Sequence, residues 1–386
     1  MRFNRDGQDA QDGEGRHPAY PFDFAQGKPA HPCKEDAIFV SVVVAARNEE
    51  AFIGDCLASL VRQTCPADRY EVVVADDDSE DGTRDIVRAF AARHANVRLV
   101  TPGPEDAGLR AKKRPMNAGI RESRGEILLT TDADCRVPPT WVASTVAHFA
   151  PDVGAVVGFS QVARSRSGGW VERLQGIDFL ALMSAAAGAL GVGVPLAASG
   201  QNLAYRRSLF EAAGGFREIG RRASGDDVLL LQLMRRARQG RIVFNTDPGA
   251  FVETHRTESL TGLVRQRLRW ASNGASQARL NPPFFLYISA VFLSNLLIPL
   301  TLIAGLIRDA SVTVPFACGI VKTLAEFAVL LCGASAFRRF DLLRAFPLWA
   351  ALQPFYIVFV GLFGSVGRFA WKGRRHGGRI RRMKSR

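Results

Sequence analysis

Apolar positions along this chain alternate between two spacings. From Ile38 the run IFVSVVVAA is β-branched and of strand length, and after RNEE the apolar residues Ile53, Leu57, Leu60 and Val61 fall at helical spacing. The unit recurs: YEVVVADDD is a short apolar strand ending in acids, SEDGTRDIVRAFAARH opens with capping residues, and Ile86, Val87 and Phe90 mark a helix face. Further strands are predicted near Val97 to Val100 and over Glu126 to Thr130. Strands alternating with helices predict an α/β fold with a mostly parallel sheet covered on both faces. Ligands of such sheets bind at the carboxyl ends of the strands.

The pattern changes in the last third. FFLYISAVFLSNLLIPLTLIAGLI (284–307) carries no charge and has the length needed to cross a hydrocarbon core of about 30 Å. Residues 313–333 form a second such segment, carrying Lys322 and Glu326 four residues apart, and 345–364 a third, interrupted by Pro347 and Pro354. The apolar stretch 177–198 reads instead as a buried or interfacial segment of the globular part. The chain therefore divides into a polar, Gly- and Pro-rich arm at 1–36, an α/β domain at 37–275, membrane helices within 282–366 and a tail at 367–386. The arm is expected to be disordered and lacks the apolar core of a signal peptide.

Charge sharpens this division. The formal net charge is +13, and the last twenty residues alone carry nine Lys and Arg side chains and no acid. Next to membrane segments such a tail fits lipid head groups, and no nucleic-acid partner is expected. Six cysteines show no CxxC spacing and are read as reduced thiols.

The acids mark the strand ends. In LTTDADC, Asp132 and Asp134 stand two apart, a spacing that in extended backbone turns both carboxylates to one point. Their repulsion is relieved by a hard divalent cation, magnesium or manganese, carried by a diphosphate, while Cys135 points the other way into the packing. Asp76 and Asp77 occupy the equivalent place at the end of an earlier strand, where a nucleoside could be held. Lys112 and Lys113 can offset phosphate charge. Asp226 and Asp227 precede an apolar helical pattern and either cap it or take a proton from an attacking hydroxyl. In SLTGLVRQRLRW, Leu260, Leu263, Val264 and Leu268 form one helix face, and Gln266, Arg269 and Trp270 another, suited to a diphosphate or a sugar ring.

Taken in order, ARNEE, ADDDSEDGT, KKRPMNAGI, DAD, GDD and QRLRW resemble the motifs of family 2 glycosyltransferases of the GT-A fold, over about residues 38–272. The last motif resembles the QxxRW box of the membrane-bound subgroup, found in cellulose and hyaluronan synthases. The resemblance implies inverting transfer of a sugar from a nucleotide diphosphate donor, usually UDP-linked, to a hydroxyl. By it, Glu49 and Asp76, with Asp77 beside them, would bind the nucleoside. Lys112, Asp132 and Asp134 would serve the metal and diphosphate, Asp227 within the Asp226–Asp227 pair would be the base, and Gln266, Arg269 and Trp270 would complete the site. The chain departs from the family pattern at Asp78, where glycine is usual, at Pro115 and Met116, and at Asp226, where glutamate is usual.

Nucleotide sugars are cytosolic, which implies a multi-pass protein of the cell membrane with its catalytic domain facing the cytoplasm. Three crossings would put the basic tail outside, against the positive-inside tendency. Either one of the three does not cross, the proline-interrupted third first among them, or four crossings are hidden in these three segments. So few apolar segments favour a lipid or lipid-linked acceptor over a processive polysaccharide synthase, and a nucleotidyltransferase is a more distant alternative.

Overall fold

The computed structural model describes residues 38–163, 169–222, 224–255 and 259–364, with the backbone of 369–371 and 374–376. The expected N-terminal arm and most of the basic tail lie outside the described residues. The alternation begins with β1 (Val40–Ala46), α1 (Ile53–Leu60), β2 (Tyr70–Asp76), α2 (Thr83–Ala91) and β3 (Val97–Val100). It continues through α3 (Lys113–Glu122), β4 (Ile127–Asp132), β5 (Cys135–Arg136), α4 (Trp141–Val146), β6 (Val153–Gly158) and β7 (Ser160–Val162). After α5 (Trp170–Gly191) come β8 (Leu203–Arg206), α6 (Arg207–Ala212), α7 (Val228–Ala237), β9 (Arg241–Asn245) and β10 (Val252–Thr254).

Seven strands lie in the order β3-β2-β1-β4-β8-β6-β9, and within this sheet only β8 runs against its neighbours. This is the α/β architecture that the sequence predicts. Its parallel strands read as unbroken apolar runs because helices cover both faces. Val42 and Val44 meet Ile53, Leu57 and Trp141 on one face, while Val43 meets Met116, Ile120 and Leu230 on the other. The short strands β5, β10 and β7 make a second sheet.

Register aligns the acids. Ala46 at the end of β1 pairs with Asp76 of β2, and Ala45 pairs with Asp132 of β4. The two acids therefore flank the end of β1, two strand spacings or about 10 Å apart across the sheet.

Among the described residues, four helices are long and apolar enough to cross a membrane: α5, α10 (Pro282–Ile307), α11 (Thr313–Ala336) and the stretch Phe340–Gly364, which includes α12 (Phe346–Gly364). They follow or flank α8 (Leu260–Ala271) and α9 (Gly274–Leu280). Topology separates them. Strands β6 and β7 precede α5 and β8 follows it; β6 and β8 are hydrogen-bonded neighbours in one sheet, so the ends of α5 cannot lie on opposite sides of a membrane. The helix instead packs Leu180 and Ser184 against Gly333 of α11, and Gly176 against Leu342.

The pair α10 and α11 forms a hairpin rooted in the α/β domain. Asn281, at its start, donates to Pro195 O (3.0 Å) and Gln232 Oε1 (2.9 Å). At its end Phe337 stacks on Phe159 of the domain with centroids 4.0 Å apart. Helix α12 behaves differently, because both ends rest on domain elements: Trp349 reaches Asp178 of α5, and Gly364 lies against Leu268 and Ala271 of α8. Its buried residues Trp349, Gln353, Val360 and Gly364 form one stripe at helical spacing. A backbone ribbon of β11 (Phe369–Trp371) and β12 (Arg374–His376) follows.

One expectation about cysteines changes. Cys56, Cys135, Cys318 and Cys332 are free thiols, but Cys65 is disulfide-bonded, so the reading of six reduced cysteines does not hold.

Candidate active site

The loop after β1 and the loop after β2 are stitched to each other. Asn48 N donates to Ser79 Oγ (3.0 Å), Glu80 N to Asn48 Oδ1 (2.9 Å), Glu49 N to Thr83 Oγ1 (2.8 Å) and Gly82 N to Glu50 Oε2 (2.9 Å). Asp76 is fully buried at the strand end; its Oδ2 accepts from Arg84 Nε (2.5 Å) and Ser79 N (3.1 Å). Its Oδ1 is buried without a hydrogen-bond partner, as is Arg47 Nε nearby. Asp77, also buried, is contacted by Arg114 and by Arg47 (3.9 Å). An orphaned carboxylate oxygen in a rigid cradle is what a base N–H or a ribose hydroxyl would satisfy.

Asp78 stands where glycine is usual and adopts φ +57°, a left-handed conformation that glycine takes at no steric cost. Its charge is met by Arg114 at 3.0 Å and Arg84 at 3.6 Å. Left-handed residues also introduce other site segments: Asn48 (φ +51°) precedes Glu49, Ala111 (+53°) precedes Lys112, and Gly225 (+86°) precedes Asp226. Each costs a non-glycine residue roughly 1–2 kcal/mol, which the surrounding fold must offset.

Beside this cradle lies a second set of groups. Lys112 Nζ bridges Asp132 Oδ1 (2.5 Å) and Asp226 Oδ2 (3.2 Å). Burial opposes its ammonium, yet Asp132 and Asp226 outweigh burial and hold its pKa above the ordinary value. Asp132 ends β4, but Ala133 and Asp134 form a turn rather than extended backbone. The two carboxylates thus converge because the chain bends toward β5, not because side chains alternate. The bend also brings Cys135 in: its Sγ lies 3.6 Å from Asp134 Oδ1, and donor atoms of all three residues fall within 4.8 Å of one another. Cys135 is therefore not turned away. Burial, with Asp134 and Asp132 beside it, pushes its thiol well above the usual range, which leaves it neutral. Burial, then Asp134, Asp132 and Glu49, push the Cys56 thiol up, so Glu49 shares the side of the two metal-type acids.

Asp227 caps α7, its Oδ1 accepting from Val228 N (2.6 Å) and its Oδ2 from Gly200 N (3.1 Å). Burial and the neighbouring Asp226 raise its pKa. Burial works the same way on Asp226, but Lys112 and Lys113 more than compensate and hold its carboxyl below the usual range. The environments of the two acids thus pull their proton affinities apart, as acid–base sites do. Behind them Lys113, fully buried, donates to Ser224 O (3.1 Å).

In α8 the Ser259 hydroxyl caps the helix and Arg269 is close enough to Asp226 to lower its pKa. Trp270 is occupied elsewhere: the Arg267 guanidinium lies 4.2 Å over its ring and Phe179 packs beside it at 6.0 Å. Gln266 Oε1 accepts from Arg267 Nη1 at 3.5 Å. The expected apolar face needs revision, because Leu260 is 56% exposed whereas Arg267 is only 4% exposed.

Two further sets of residues escape sequence reasoning. Gly200 lies so close to the centre that an added Cβ would stand 3.1 Å from Lys112 Nζ and 3.4 Å from Asp226 Oδ2. It closes the apolar stretch 177–198, in SGQN, and its small size was the available signal. Asp178 and Arg267 form the other set, with Nε to Oδ2 at 2.7 Å. An acid within an apolar helix signalled that pair.

The family model described as Glycosyl transferase family 2 matches residues 41–214. An N-acetylglucosaminyltransferase of Rhizobium meliloti is 30% identical over 318 residues, covering 77% of this chain and 71% of that protein. A beta-monoglucosyldiacylglycerol synthase of Synechocystis sp. is 30% identical over 241 residues, 61% of this chain and 47% of that protein. With shares of 54% and 47%, the chain spans about half the length of several curated relatives it matches. The solved structure of mannosyltransferase PcManGT from Pyrobaculum calidifontis in complex with GDP-Man and Mn2+ covers 85% of this chain and 87% of its own, with 23% identity and a TM-score of 0.53. That likeness is one of fold.

Proposed function

Because the chain belongs to glycosyl transferase family 2, we propose that it moves a sugar, with inversion, from a nucleotide diphosphate donor to a hydroxyl of a lipid or lipid-linked acceptor at a membrane. One observation carries the reading: Lys112 joins Asp132, at the donor end of the sheet, to the Asp226–Asp227 pair, so phosphate-binding and proton-accepting groups share one space.

The nucleoside enters between the loops after β1 and β2, where Asp76 Oδ1 accepts the imide N–H of a uracil, and UDP-linked donors are the first choice. Asp132 and Asp134 would hold a divalent cation, magnesium or manganese, which supplies positive charge to the leaving diphosphate. The fit rests on their oxygen donors gathered within 4.8 Å, with the neighbouring Cys135 thiol kept neutral. Lys112 stabilises the same diphosphate with its ammonium, and Arg269 adds charge from α8. Asp227, oriented by Gly200 N and Val228 N, accepts the acceptor hydroxyl proton as that oxygen attacks the anomeric carbon. The diphosphate departs from the opposite face, which inverts the centre.

We place α10 and α11 across the membrane, α5 along its surface, and α12 beside the hairpin, entering and leaving on the domain side, with Gln353 accepting from Lys322 of α11 (2.6 Å) and Gly361 against Phe292 of α10. Two crossings return the chain to the side where it began. The hairpin tip carries one basic residue, Arg308, whereas the domain end carries three, Arg338, Arg339 and Arg344. This bias favours a cytoplasmic domain. The lipid acceptor is supported by the similarity to the diacylglycerol-acting synthase and by a site standing above apolar helices.

The test is direct. Detergent-purified protein is incubated with UDP- and GDP-linked sugars, magnesium or manganese, and membrane lipid extract, and products are identified by mass spectrometry. A glycosylated lipid together with released nucleoside diphosphate is expected. No transfer from any donor, or release of pyrophosphate, would overturn the reading.

A further inference from the structure

Helix α8 is fastened at two ends to different parts of the molecule. On the membrane side, Arg267 is buried against Asp178 of α5, with Nε and Nη2 at 2.7 and 2.6 Å from Oδ2. Helix α12 closes over that pair, Trp349 Nε1 donating to Asp178 Oδ1 (3.4 Å) and the Tyr356 hydroxyl to Oδ2 (3.5 Å). On the catalytic side, Ser272 O accepts from Arg222 Nη2 (3.4 Å), and Asn273 Oδ1 lies 3.3 Å from where a Cβ on Gly225 would stand. Arg269 adds its charge to Asp226 and Lys113 from between these anchors.

We infer that Asp178 and Arg267 are positioning residues: they fix α8 against the membrane-side helices, and α8 in turn holds Arg222 and the Ser224–Asp227 segment that presents the base. Five residues separate Arg267 from Ser272, a rise of about 7.5 Å along one rigid helix. A shift at the buried pair therefore moves the loop as well. A buried ion pair is a poor source of net stability, since desolvation opposes the attraction, and its value here is in specifying one placement of three helices. By this route lipid-facing α12 is mechanically joined to the residue that accepts the proton. The inference rests on the base role proposed for Asp227.

The full chain in detergent is compared with Asp178→Asn, Arg267→Lys and, as control, Asp227→Asn. Transfer kinetics and hydrogen–deuterium exchange are both read. Asp178→Asn is expected to lower kcat about tenfold while donor KM stays within about twofold. Amides of residues 224–229 should exchange faster, with those of β1 and β2 unchanged. Arg267→Lys, which keeps the charge but loses the fork, should fall between it and wild type. A well-folded Asp178→Asn protein with unchanged kcat and unchanged exchange at 224–229 overturns the inference, as does faster exchange confined to α5 and α12. If Asp178→Asn does not fold, Tyr356→Phe decides, because it removes one hydroxyl and should still lower kcat about twofold with the same exchange signature. If wild type does not transfer, or Asp227→Asn remains active, the functional reading fails, and the exchange arm still judges the positioning role.

Discussion

The acids after β2 and the acids around Lys112 both occupy strand ends, yet they are held in opposite ways. Asp76 and Asp77 are buried and gripped by arginines and a backbone amide, in two loops that cross-bond each other. Asp132 and Asp226 are partly open and share a single flexible lysine. The first arrangement is preformed and its charges are already neutralised, so it can select a neutral, planar group. The second has Lys112 between Asp132 and Asp226, with Lys113 and Arg269 adding charge behind it, so Lys112 can exchange its carboxylate partners for an incoming cation and diphosphate. Recognition and reaction are thereby divided between a stiff half of the site and a responsive half.

The largest effect that would test this division is on the responsive side. Asp227→Asn should lower transfer by about 10²–10⁴, with nucleoside diphosphate affinity unchanged in calorimetry. Loss of both together would dissolve the division. On the stiff side, Asp76→Asn should act in reverse, raising the donor dissociation constant about tenfold or more while kcat on saturating donor changes less. Gly225→Ala probes the loop without touching an acid: at φ +86° its Cβ would stand 2.6 Å from Leu229. A fall in kcat of about tenfold is expected, again with donor binding retained. The smallest effect is on stability. Burial, opposed by Asp226 and Asp227, moves Lys113 from its ordinary 10.5 down to about 8. Between those values the unfolded chain holds more protons than the folded one, so stability rises with pH there. Lys113→Met should abolish that rise in melting temperature between about pH 8 and about pH 10.

What was legible in the sequence was local. The strand-helix alternation from Ile38 onward appears as read, because buried parallel strands and amphipathic helices leave periodic apolar marks. The acids at Asp76 and Asp132 also stand at strand ends, as their places after apolar runs implied. Misreadings arose where local backbone or distant packing decides. Extended spacing explained Asp132 and Asp134, but a turn at Ala133 and Asp134 brings them together and draws Cys135 along. The apolar face assigned to α8 holds at Leu263 but not at Leu260, and it takes in Arg267, whose counter-charge lies 89 residues away in α5. Gly200 was passed over because a glycine announces nothing until its neighbours are known.

The position of α5 has a consequence for biosynthesis. Twenty-two residues apolar enough to enter a bilayer leave the ribosome before β8, the strand that must pair with β4 and β6. Insertion and sheet closure compete for the same segment. Asp178, nine residues into the helix, opposes insertion by about 2.5–3.5 kcal/mol at a membrane-centre position. The carboxylate that seats Arg267 thus also makes α5 a poorer membrane segment than its length and apolar content alone would make it.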